Sequence, residues 1–405
     1  MLRDLFVLDL SRVLAGPYCT LLLADLGARV VKVESPAGDD TRRWGPPYVG
    51  GESGYYLSVN RGKESLALDL KDPRGSAIVR DLARKADVVV ENFKVGDLAR
   101  YGLDYAAVAA GNPGVVYVSI TGYGQDGPRR SEAGYDAALQ AQSGLLAMTG
   151  EPDGPPVKLG VAWIDVLTGL HAATAALAAL RRRDATGEGA HVDMALFDVA
   201  LASMVNQAQN ALLTGQPPAR LGSGHPNIVP YQAFDVADGA VVVAVGNDGQ
   251  FARFCDVLGR PELARDPRFA TNEARVLNRG ALVPMVAAEL APRTRAELLA
   301  ACRAATVPAT PVATLPEALA DPQAEARGAV VAGHHPTVGT LPMVASPLWH
   351  VAGPGGAPVL APPAPGAAPV PPLLGADSRG VLRRELGLSE GEIDELVADG
   401  VVVQR

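Results

Sequence analysis

A single aspartate, Asp165, interrupts an otherwise apolar or small-residue segment, KLGVAWIDVLTGLHAATAALAALRRR, which runs from Lys158 to Arg183. The preceding VAWI has the composition of a strand, and the following VLTGLHAATAALAALRRR predicts a helix buried on nearly all sides. Asp165 is therefore expected at or near the N-cap of this helix, where a carboxylate accepts hydrogen bonds from free backbone N–H groups. The same place would hold a carboxylate as a nucleophile or base in a cleft.

The rest of the sequence offers few other motifs for catalysis. Its six histidines form no H-x-x-x-H or H-E-x-x-H, and its three cysteines form no C-x-x-C, so we predict no metal site. The absence of G-x-S-x-G argues against the nucleophile elbow of α/β-hydrolases. The loop DLSRVLAGP lacks G-x-G-x-x-G, which argues against a nicotinamide dehydrogenase. Any catalysis is therefore expected to depend on a carboxylate.

Basic residues follow several predicted strands in the first part of the chain, where an anionic ligand binds to an α/β sheet. They are Arg42, Arg43, Arg61, Lys63, Lys71, Lys94 and Arg100. Ordinary solvated surface is the alternative interpretation for each of them. Asn92 and Phe93 end one predicted strand and offer a polar contact and a flat apolar face for a purine.

The composition is that of a globular protein large enough for two or more domains, with 405 residues, of which 48% are apolar and 20% charged. A net charge of −8 argues against a general nucleic-acid binder. The longest apolar run, within 164–180, contains enough polar residues to predict that it does not span a membrane. Three widely spaced cysteines and an N-terminus unlike a signal peptide predict a cytoplasmic protein with no membrane partner.

Short apolar runs alternate with helical periodicity in the first third of the chain, which is typical of a parallel α/β sheet. We predict a Rossmann-like, doubly wound large domain over 1–200. A change in composition predicts a linker over 201–227 and a smaller α+β domain over 228–325. A segment rich in proline, glycine and alanine predicts a return linker over 326–372. The last part, 373–405, is predicted to form helices that pack on the large domain.

A series of strings along the chain is more specific than any single motif. They include VLDLSRVLAGPYCTLLLADLGARVVKVE, NRGKESLALDLK, DVVVENFKVGDLARYGLDY, TGYGQDGP, GYDAALQAQSGLLAMTGEPDGPPVKLGVAWIDVLTGL and HPNIVPYQAF. In this order the strings resemble the class III CoA-transferases, which include formyl-CoA transferase and carnitine CoA-transferase. The resemblance extends over nearly the whole chain. It implies an interlocked, ring-shaped homodimer with no permanently bound cofactor, in which CoA and acyl-CoA are substrates.

The resemblance also implies that Asp165 is the catalytic aspartate, which forms an aspartyl anhydride and then an aspartyl-CoA thioester. The positions that match the family's CoA contacts are Leu14, Ala15, Leu68, Asp69, Leu70, Lys71, Asn92, Phe93, Lys94, Arg100 and Tyr135. Trp44 and Tyr55 match aromatic residues near the acyl pocket, and Gly222, Gly224 and His225 match a glycine-rich lid loop. Arg42, Arg43 or Lys71 is expected to contact the CoA phosphates.

The sequences PPVKLGVAWIDVLTGL and HPNIVPYQAF most resemble those of family members that act on dicarboxylates. We therefore expect transfer of CoA from succinyl-CoA or a similar donor to a carboxylic acid. The family also contains α-methylacyl-CoA racemases, which have a histidine where this chain has Tyr135 and which remain the alternative. A CoA-binding protein without activity is a further alternative.

Overall fold

Residues 1–404 are described by the structure, which is a computed structural model. The chain divides into two compact units, each of which is discontinuous in sequence. Unit 1 comprises residues 1–143, 159–208 and the chain from Pro322 onwards. Unit 2 comprises residues 144–158 and 209–321.

Unit 1 is built around a seven-stranded sheet. The strands of its first part are β1 (Phe6–Asp9), β2 (Arg29–Glu34), β3 (Tyr48–Val49), β4 (Glu52–Ser53), β5 (Lys63–Leu68), β6 (Val88–Glu91), β7 (Val116–Thr121) and β8 (Ala190–Ala195). Its later strands, which follow β9, β10 and β11 of unit 2, are β12 (Val330–His335), β13 (Gly339–Val344), β14 (Val351–Ala352), β15 (Pro358–Leu360) and β16 (Val402–Val403). The sequences FVLD, VVVE and VYVSIT of β1, β6 and β7 are buried throughout, as expected for central strands covered on both faces.

The strand order of this sheet is β16-β5-β2-β1-β6-β7-β8, and every neighbouring pair is parallel except β16 with β5. The prediction of a mixed α/β fold with a largely parallel central sheet is therefore confirmed. The order reverses direction between β1 and β6, because the chain first builds outwards through β2 and β5 and then returns to the other side of β1. Loops leave the carboxyl ends of β1 and β6 in opposite directions at this point and form a crevice.

The helices of unit 1 begin with α1 (Ala15–Asp25), α2 (Gly54–Val59), α3 (Pro73–Ala83), α4 (Tyr105–Gly111), α5 (Asp136–Gln142), α6 (Trp163–Thr186), α7 (Leu196–Ser203) and α8 (Val205–Thr214), the last of which continues into unit 2. Unit 1 also contains α14 (Pro322–Ala326), α15 (Ser378–Val381) and α16 (Glu390–Ala398). At Gly169, α6 crosses α1 so closely that a Cβ atom would lie 2.6 Å from the carbonyl oxygen of Ala15. This crossing brings the first turns of α1 and α6 together.

The surface of α6 differs from its prediction. The helix was expected to be buried on nearly all sides, but only 39% of its most apolar window is buried, and Trp163 and Leu170 are exposed. Its mean hydropathy over that window is 1.4, so by length and composition it is the one helix within residues 1–404 that could cross a membrane. The prediction that this run is too polar for a membrane span is therefore wrong on that criterion. The core helix of a soluble protein meets the same criterion.

Unit 2 has its own sheet and its own core. Its antiparallel sheet has the order β11-β10-β9, with β9 (Tyr231–Val236), β10 (Gly239–Ala244) and β11 (Ala309–Pro311). Its helices are α9 (Asp248–Leu258), α10 (Asn272–Leu277), α11 (Arg279–Leu290), α12 (Arg295–Ala304) and α13 (Leu315–Leu319). Three phenylalanines, Phe251, Phe254 and Phe269, are fully buried among the apolar side chains of these elements.

The two segments predicted as linkers contain regular structure. The first, 201–227, includes the end of α7 and all of α8 before an irregular stretch begins. The second, 326–372, contains the β12–β13 and β14–β15 hairpins, because Leu341 and Met343 pack their apolar side chains against Leu57. Residues 144–158, which were predicted as part of the large domain, group with unit 2. The predicted C-terminal helices are joined by β16, which adds an unpredicted edge strand to the central sheet.

Candidate active site

A cavity of about 240 Å³ lies in unit 1 at the carboxyl ends of β1, β6 and β7. Its walls come from the loops that follow these three strands, from the segment before α5 and from the first turn of α6. The lining residues are Arg12, Val13, Leu14, Ala15, Asp40, Trp44, Asn92, Phe93, Lys94, Val95, Ile120, Thr121, Gly122, Arg130, Glu132, Ala133, Gly134, Tyr135, Asp165 and Leu196. This is the crevice at which parallel α/β sheets bind their ligands.

Asp165 is the third residue of α6 and faces this cavity. It lies in the first turn rather than at the N-cap, which is Ala162 and has no side chain that could accept a hydrogen bond. The backbone N–H groups of Ile164 and Asp165 instead donate to Oδ2 of Asp136, at 2.8 Å and 3.2 Å. Within residues 1–404 the carboxylate of Asp165 itself accepts no hydrogen bond. The carboxylate in the cavity therefore does not cap the helix.

Burial, with a smaller contribution from the negative charge of Asp136, raises the pKa of Asp165 to about 7. Hydrogen bonds from helix N–H groups would lower this pKa, but the N–H groups of Ile164 and Asp165 are bonded to Asp136 instead. Because the ionised form is the nucleophile, a proton must leave Asp165 before it can attack a substrate. Both protonation states are populated near neutral pH.

An apolar wall borders Asp165 on one side. The ring of Tyr55 meets that of Trp44 edge to face, with centroids 5.3 Å apart. Tyr55 also packs with Leu14 and Val166 in one apolar cluster. Burial raises the pKa of the Tyr55 hydroxyl to about 12, with a further contribution from the charge of Asp165, so this hydroxyl stays protonated. Both predicted aromatic residues are therefore near Asp165, although only Trp44 lines the cavity.

The loop after β6 contributes Asn92, Phe93 and Lys94 to the cavity, as the resemblance had implied. Their interactions differ from the expected ones. The amide of Asn92 accepts a hydrogen bond from the N–H of Arg12 at 2.9 Å and donates to its carbonyl at 2.7 Å. The guanidinium of Arg12 lies 5.5 Å from the centroid of the Phe93 ring. Asn92 thus fixes the neighbouring loop, and Arg12 shares the ring face proposed for a purine.

The loop after β1 is held by buried charges. The N–H of Val13 points to the carboxylate of Asp39 at 3.3 Å, and Asp39 forms a 2.9 Å ion pair with the fully buried Lys32. Val13 has φ of 71°, a conformation that is costly for a β-branched residue and that persists only where the surroundings impose it. Arg12 and Leu14, on either side of Val13, line the cavity. The buried ion pair therefore helps to set the wall of the site.

Several predicted residues lie outside the cavity lining. Leu68, Asp69, Leu70 and Lys71 are at the carboxyl end of β5, and Arg100 lies over the ring of Tyr101. Arg42, expected to be available for phosphates, is bonded to Glu34 at 2.7 Å and 2.8 Å and lies over the ring of Tyr56. Gly222, Gly224 and His225 belong to unit 2, where Gly222 donates its N–H to the carbonyl of Gly150.

Three residues of the site were missed in the sequence. Arg12 and Arg130 line the cavity, and Asp136 caps α6. Arg12 lies two residues after the apolar run LFVLDL, which was a usable signal. Asp136 follows Tyr135 but lies 29 residues before Asp165, so only the folded structure shows their relation. Among residues 1–404 no cluster of three or more His, Cys, Asp or Glu side chains could hold a metal ion.

Known proteins resemble this chain over most of its length. The model of CoA-transferase family III matches residues 2–368. The chain is 48% identical to the succinate–glutarate CoA-transferase of Agrobacterium fabrum over 334 residues, which cover 81% of this chain and 84% of that protein. It is 43% identical to succinyl-CoA:glutarate CoA-transferase of Mus musculus over 409 residues, covering 100% of this chain and 91% of that protein. A crystal structure of a CAIB/BAIF family protein from Brucella suis matches with a TM-score of 0.82 at 43% identity, covering 95% of this chain and 99% of that chain.

Proposed function

The chain belongs to CoA-transferase family III and is an enzyme of that class, and from this premise we propose that it transfers CoA from succinyl-CoA or a similar acyl-CoA to a dicarboxylic acid. The names of the relatives from Agrobacterium fabrum and Mus musculus support dicarboxylates as donor acid and acceptor. The observation that carries the proposal is Asp165, an acid that faces the cavity and has no hydrogen bond to its carboxylate within residues 1–404.

In the proposed mechanism a carboxylate oxygen of Asp165 attacks the thioester carbonyl carbon of the donor. The C–S bond breaks, which leaves an aspartyl–acyl anhydride and CoA thiolate. The thiolate attacks the side-chain carbonyl carbon of Asp165, which releases the donor acid and forms an aspartyl-CoA thioester. The acceptor carboxylate then attacks this thioester and regenerates an anhydride and the thiolate. Attack of the thiolate on the acyl carbonyl of that anhydride gives the new acyl-CoA and restores Asp165.

The surroundings of Asp165 suit an intermediate that water would destroy. Trp44 and Tyr55 form part of an apolar wall beside the carboxylate, and such a wall limits access of water to an anhydride. We propose that Gly222, Gly224 and His225 belong to a lid loop that completes this protection. Hydrogen–deuterium exchange with and without acyl-CoA tests the lid, because slower exchange over 222–225 on binding is expected.

Binding of CoA is proposed to use the free cations of the cavity. Lys94 and Arg130 line it and form no ion pair within residues 1–404, and the ion pair of Arg12 with Asp40 is a long one, at 3.5 Å. Phosphate groups are strong partners for such side chains. Leu14, Ala15, Asn92, Phe93 and Tyr135, which match the family's CoA contacts, supply further parts of the wall. CoA is proposed to act as substrate, with no permanently bound cofactor.

The proposed assembly is an interlocked homodimer of doubly wound, Rossmann-like subunits. The sheet order supports the doubly wound arrangement, because strands build outwards on both sides of β1. Exposed apolar side chains support a partner subunit: Trp163 and Leu170 on α6, Leu201 on α7 and Val205 on α8. Light scattering after gel filtration tests this, with twice the chain mass expected. The predicted domain boundaries and the cytoplasmic location remain proposals.

Replacement of Asp165 by Asn tests the mechanism. Transfer of CoA from succinyl-CoA to a panel of carboxylic acids is expected to fall at least ~10⁴-fold, because the variant lacks the nucleophile. Asp184→Asn, an exposed acid at the other end of α6, is the matched control and should keep full activity. Mass spectrometry of the wild type after borohydride treatment should find the modification on the peptide that contains Asp165. Exchange of the α-hydrogen of a 2-methylacyl-CoA without transfer would instead indicate a racemase.

A further inference from the structure

Asp136 connects the start of α5 to the start of α6. Its Oδ2 atom accepts hydrogen bonds from the N–H groups of Ile164 and Asp165, the second and third residues of α6. These are the groups that the side chain of an N-cap residue normally satisfies. The N-cap residue here is Ala162, which cannot do so. Asp136, from another helix, therefore replaces the missing cap.

A second contact extends this support. Oδ1 of Asp136 accepts a hydrogen bond from Nε2 of Gln140 at 2.6 Å. Oε1 of the same Gln140 accepts from the N–H of Leu159 at 2.9 Å, in the segment that leads into α6. Gln140 is fully buried and Asp136 is 8% exposed, so water does not compete for these bonds. The pair thus holds the backbone on both sides of the turn that begins α6.

The consequence for Asp165 is that its own carboxylate has no capping role. An acid in the first turn of a helix usually folds back towards free N–H groups. Here the free N–H groups within reach of such an acid are already bonded to Asp136. The carboxylate of Asp165 is left without a donor while its backbone is fixed. That is the arrangement a nucleophile needs, because donors lower the reactivity of a carboxylate and a mobile backbone misplaces it.

On this basis we propose that Asp136, supported by Gln140, is a positioning residue for Asp165: it caps α6 from outside and so leaves the nucleophile both fixed and free of hydrogen bonds. Asp136 does not itself attack or protonate substrate in this proposal. The proposal rests on the proposed transferase function, since it assigns Asp165 as the nucleophile. The negative charge of Asp136 has a second effect, because it lies close enough to oppose the ionisation of Asp165.

Three variants test the proposal. Asp136→Ala removes the cap and is expected to lower kcat about 10²-fold with little change in KM for acyl-CoA, as for a misplaced catalytic group. Asp136→Asn keeps an oxygen that can accept from the N–H groups of Ile164 and Asp165. Its NH2 group then faces the NH2 group of Gln140, and because both are donors this hydrogen bond is lost. The double variant Asp136→Asn with Gln140→Glu reverses the polarity of that contact and restores every hydrogen bond. It is expected to recover kcat to within about tenfold of the wild type.

The pH profile separates positioning from general stability. Asp136→Asn removes a negative charge beside Asp165, so the acid limb of kcat/KM should move to lower pH. The matched control is Asp72→Ala, which removes the side-chain cap of α3 outside the cavity lining and should leave kcat and the profile unchanged. The proposal is overturned if Asp136→Ala keeps kcat within twofold of the wild type. It is equally overturned if the double variant fails to recover kcat and the acid limb of Asp136→Asn stays in place.

Failure of the transferase function can be told apart from failure of this inference. If the wild type transfers no CoA to any acceptor, the function is wrong, and the inference is then decided by stability. Asp165→Asn is expected to stabilise the protein at pH 8, and this gain should be smaller in the Asp136→Asn background because the repulsion is already gone. An equal gain in both backgrounds would contradict the coupling.

Discussion

Two carboxylates of unit 1, the fully buried Asp9 and the partly buried Asp165, have surroundings that shift their pKa values in opposite directions. Asp9, at the end of β1, accepts hydrogen bonds from Ser11 and Thr20 and from the ammonium group of Lys63 at 3.1 Å. Burial alone would raise the pKa of Asp9, but the charges of Lys63 and Lys32 bring it below its usual value. Asp165 has no cation partner, and burial with a like charge raises its pKa to about 7.

The difference separates structural acids from the candidate nucleophile. Asp9 is neutralised and hydrogen-bonded, so it is inert and fixes the loop after β1. Asp165 keeps an unpaired carboxylate at a cost in stability, which is a common property of catalytic groups. The two acids are brought to the same edge of the sheet, but only one faces the cavity. Replacing Asp9 should therefore lower the stability of the protein, whereas replacing Asp165 should raise it.

Asp9→Asn should cause the largest change in stability. It leaves the buried ammonium of Lys63 without its partner, and loss of one member of a buried pair typically costs about 3–5 kcal/mol. Because the folded-state pKa of Asp9 is lowered, its contribution is present above pH 3.8 and is lost as the pH falls further. Urea unfolding at pH 7 and pH 3 measures the difference. A loss that is the same at both pH values would contradict the ion-pair explanation.

Asp165→Asn should change stability in the opposite direction. The pKa of Asp165 is raised from 3.8 to about 7, so the wild type loses stability as the pH rises through this range. The variant does not titrate, and its gain should therefore be absent below pH 4 and reach roughly 2–4 kcal/mol at pH 8. Urea unfolding across this range measures the gain. If the variant is no more stable than the wild type at pH 8, the carboxylate of Asp165 is stabilised by a partner, as that of Asp9 is, and the explanation is wrong.

Gly169→Ala tests the helix crossing that brings the two acids to one region. A Cβ atom there would lie 2.6 Å from the carbonyl oxygen of Ala15, so α1 and α6 must separate. We expect a loss of about 1–3 kcal/mol in thermal unfolding, together with lower activity. Gly280→Ala in α11 is the matched control, because its Cβ atom would meet nothing within 4 Å. This variant should gain up to ~1 kcal/mol in the free energy of unfolding, since alanine favours a helix more than glycine does. Equal effects at the two glycines would disprove a role for the crossing.

Lys94→Ala should have the smallest effect and extends the comparison to cations. Lys63 is held by Asp9, whereas Lys94 faces the cavity without an ion pair within residues 1–404. Its loss is expected to raise KM for acyl-CoA roughly tenfold, about 1.4 kcal/mol, with kcat unchanged. Lys71→Ala, a predicted CoA contact outside the cavity lining, should change KM less. A larger increase in KM for Lys71→Ala than for Lys94→Ala would indicate that the CoA phosphates bind near the end of β5 instead.

Much of the fold was predictable because its signals are local. Runs such as FVLD and VVVE are apolar and β-branched, so they indicate buried strands wherever they occur. The strand β16 and the hairpins of 326–372 were missed, because two-residue strands and proline-rich hairpins have little periodicity. The exposed face of α6 was also missed, since an alanine-rich helix gives almost no indication of which side is buried.

The candidate site was partly predictable for the same reason. Asn92, Lys94 and Tyr135 lie within recognisable strings, and these three residues and Trp44 do line the cavity. The sequence did not indicate that Asn92 would bond to Arg12, or that Arg42 would be occupied by Glu34. Such pairings depend on which strands become neighbours, and residue type alone does not encode that.

Short strings in a fixed order were enough to identify the family, the largely parallel sheet and Asp165 as the acid to test. The kind of acid that Asp165 is depends on the folded chain. Its cap comes from Asp136, 29 residues away, and its burial depends on the crossing of α1 and α6. A pKa is set by the charges and solvent around a group, and these are known only when distant segments have come together.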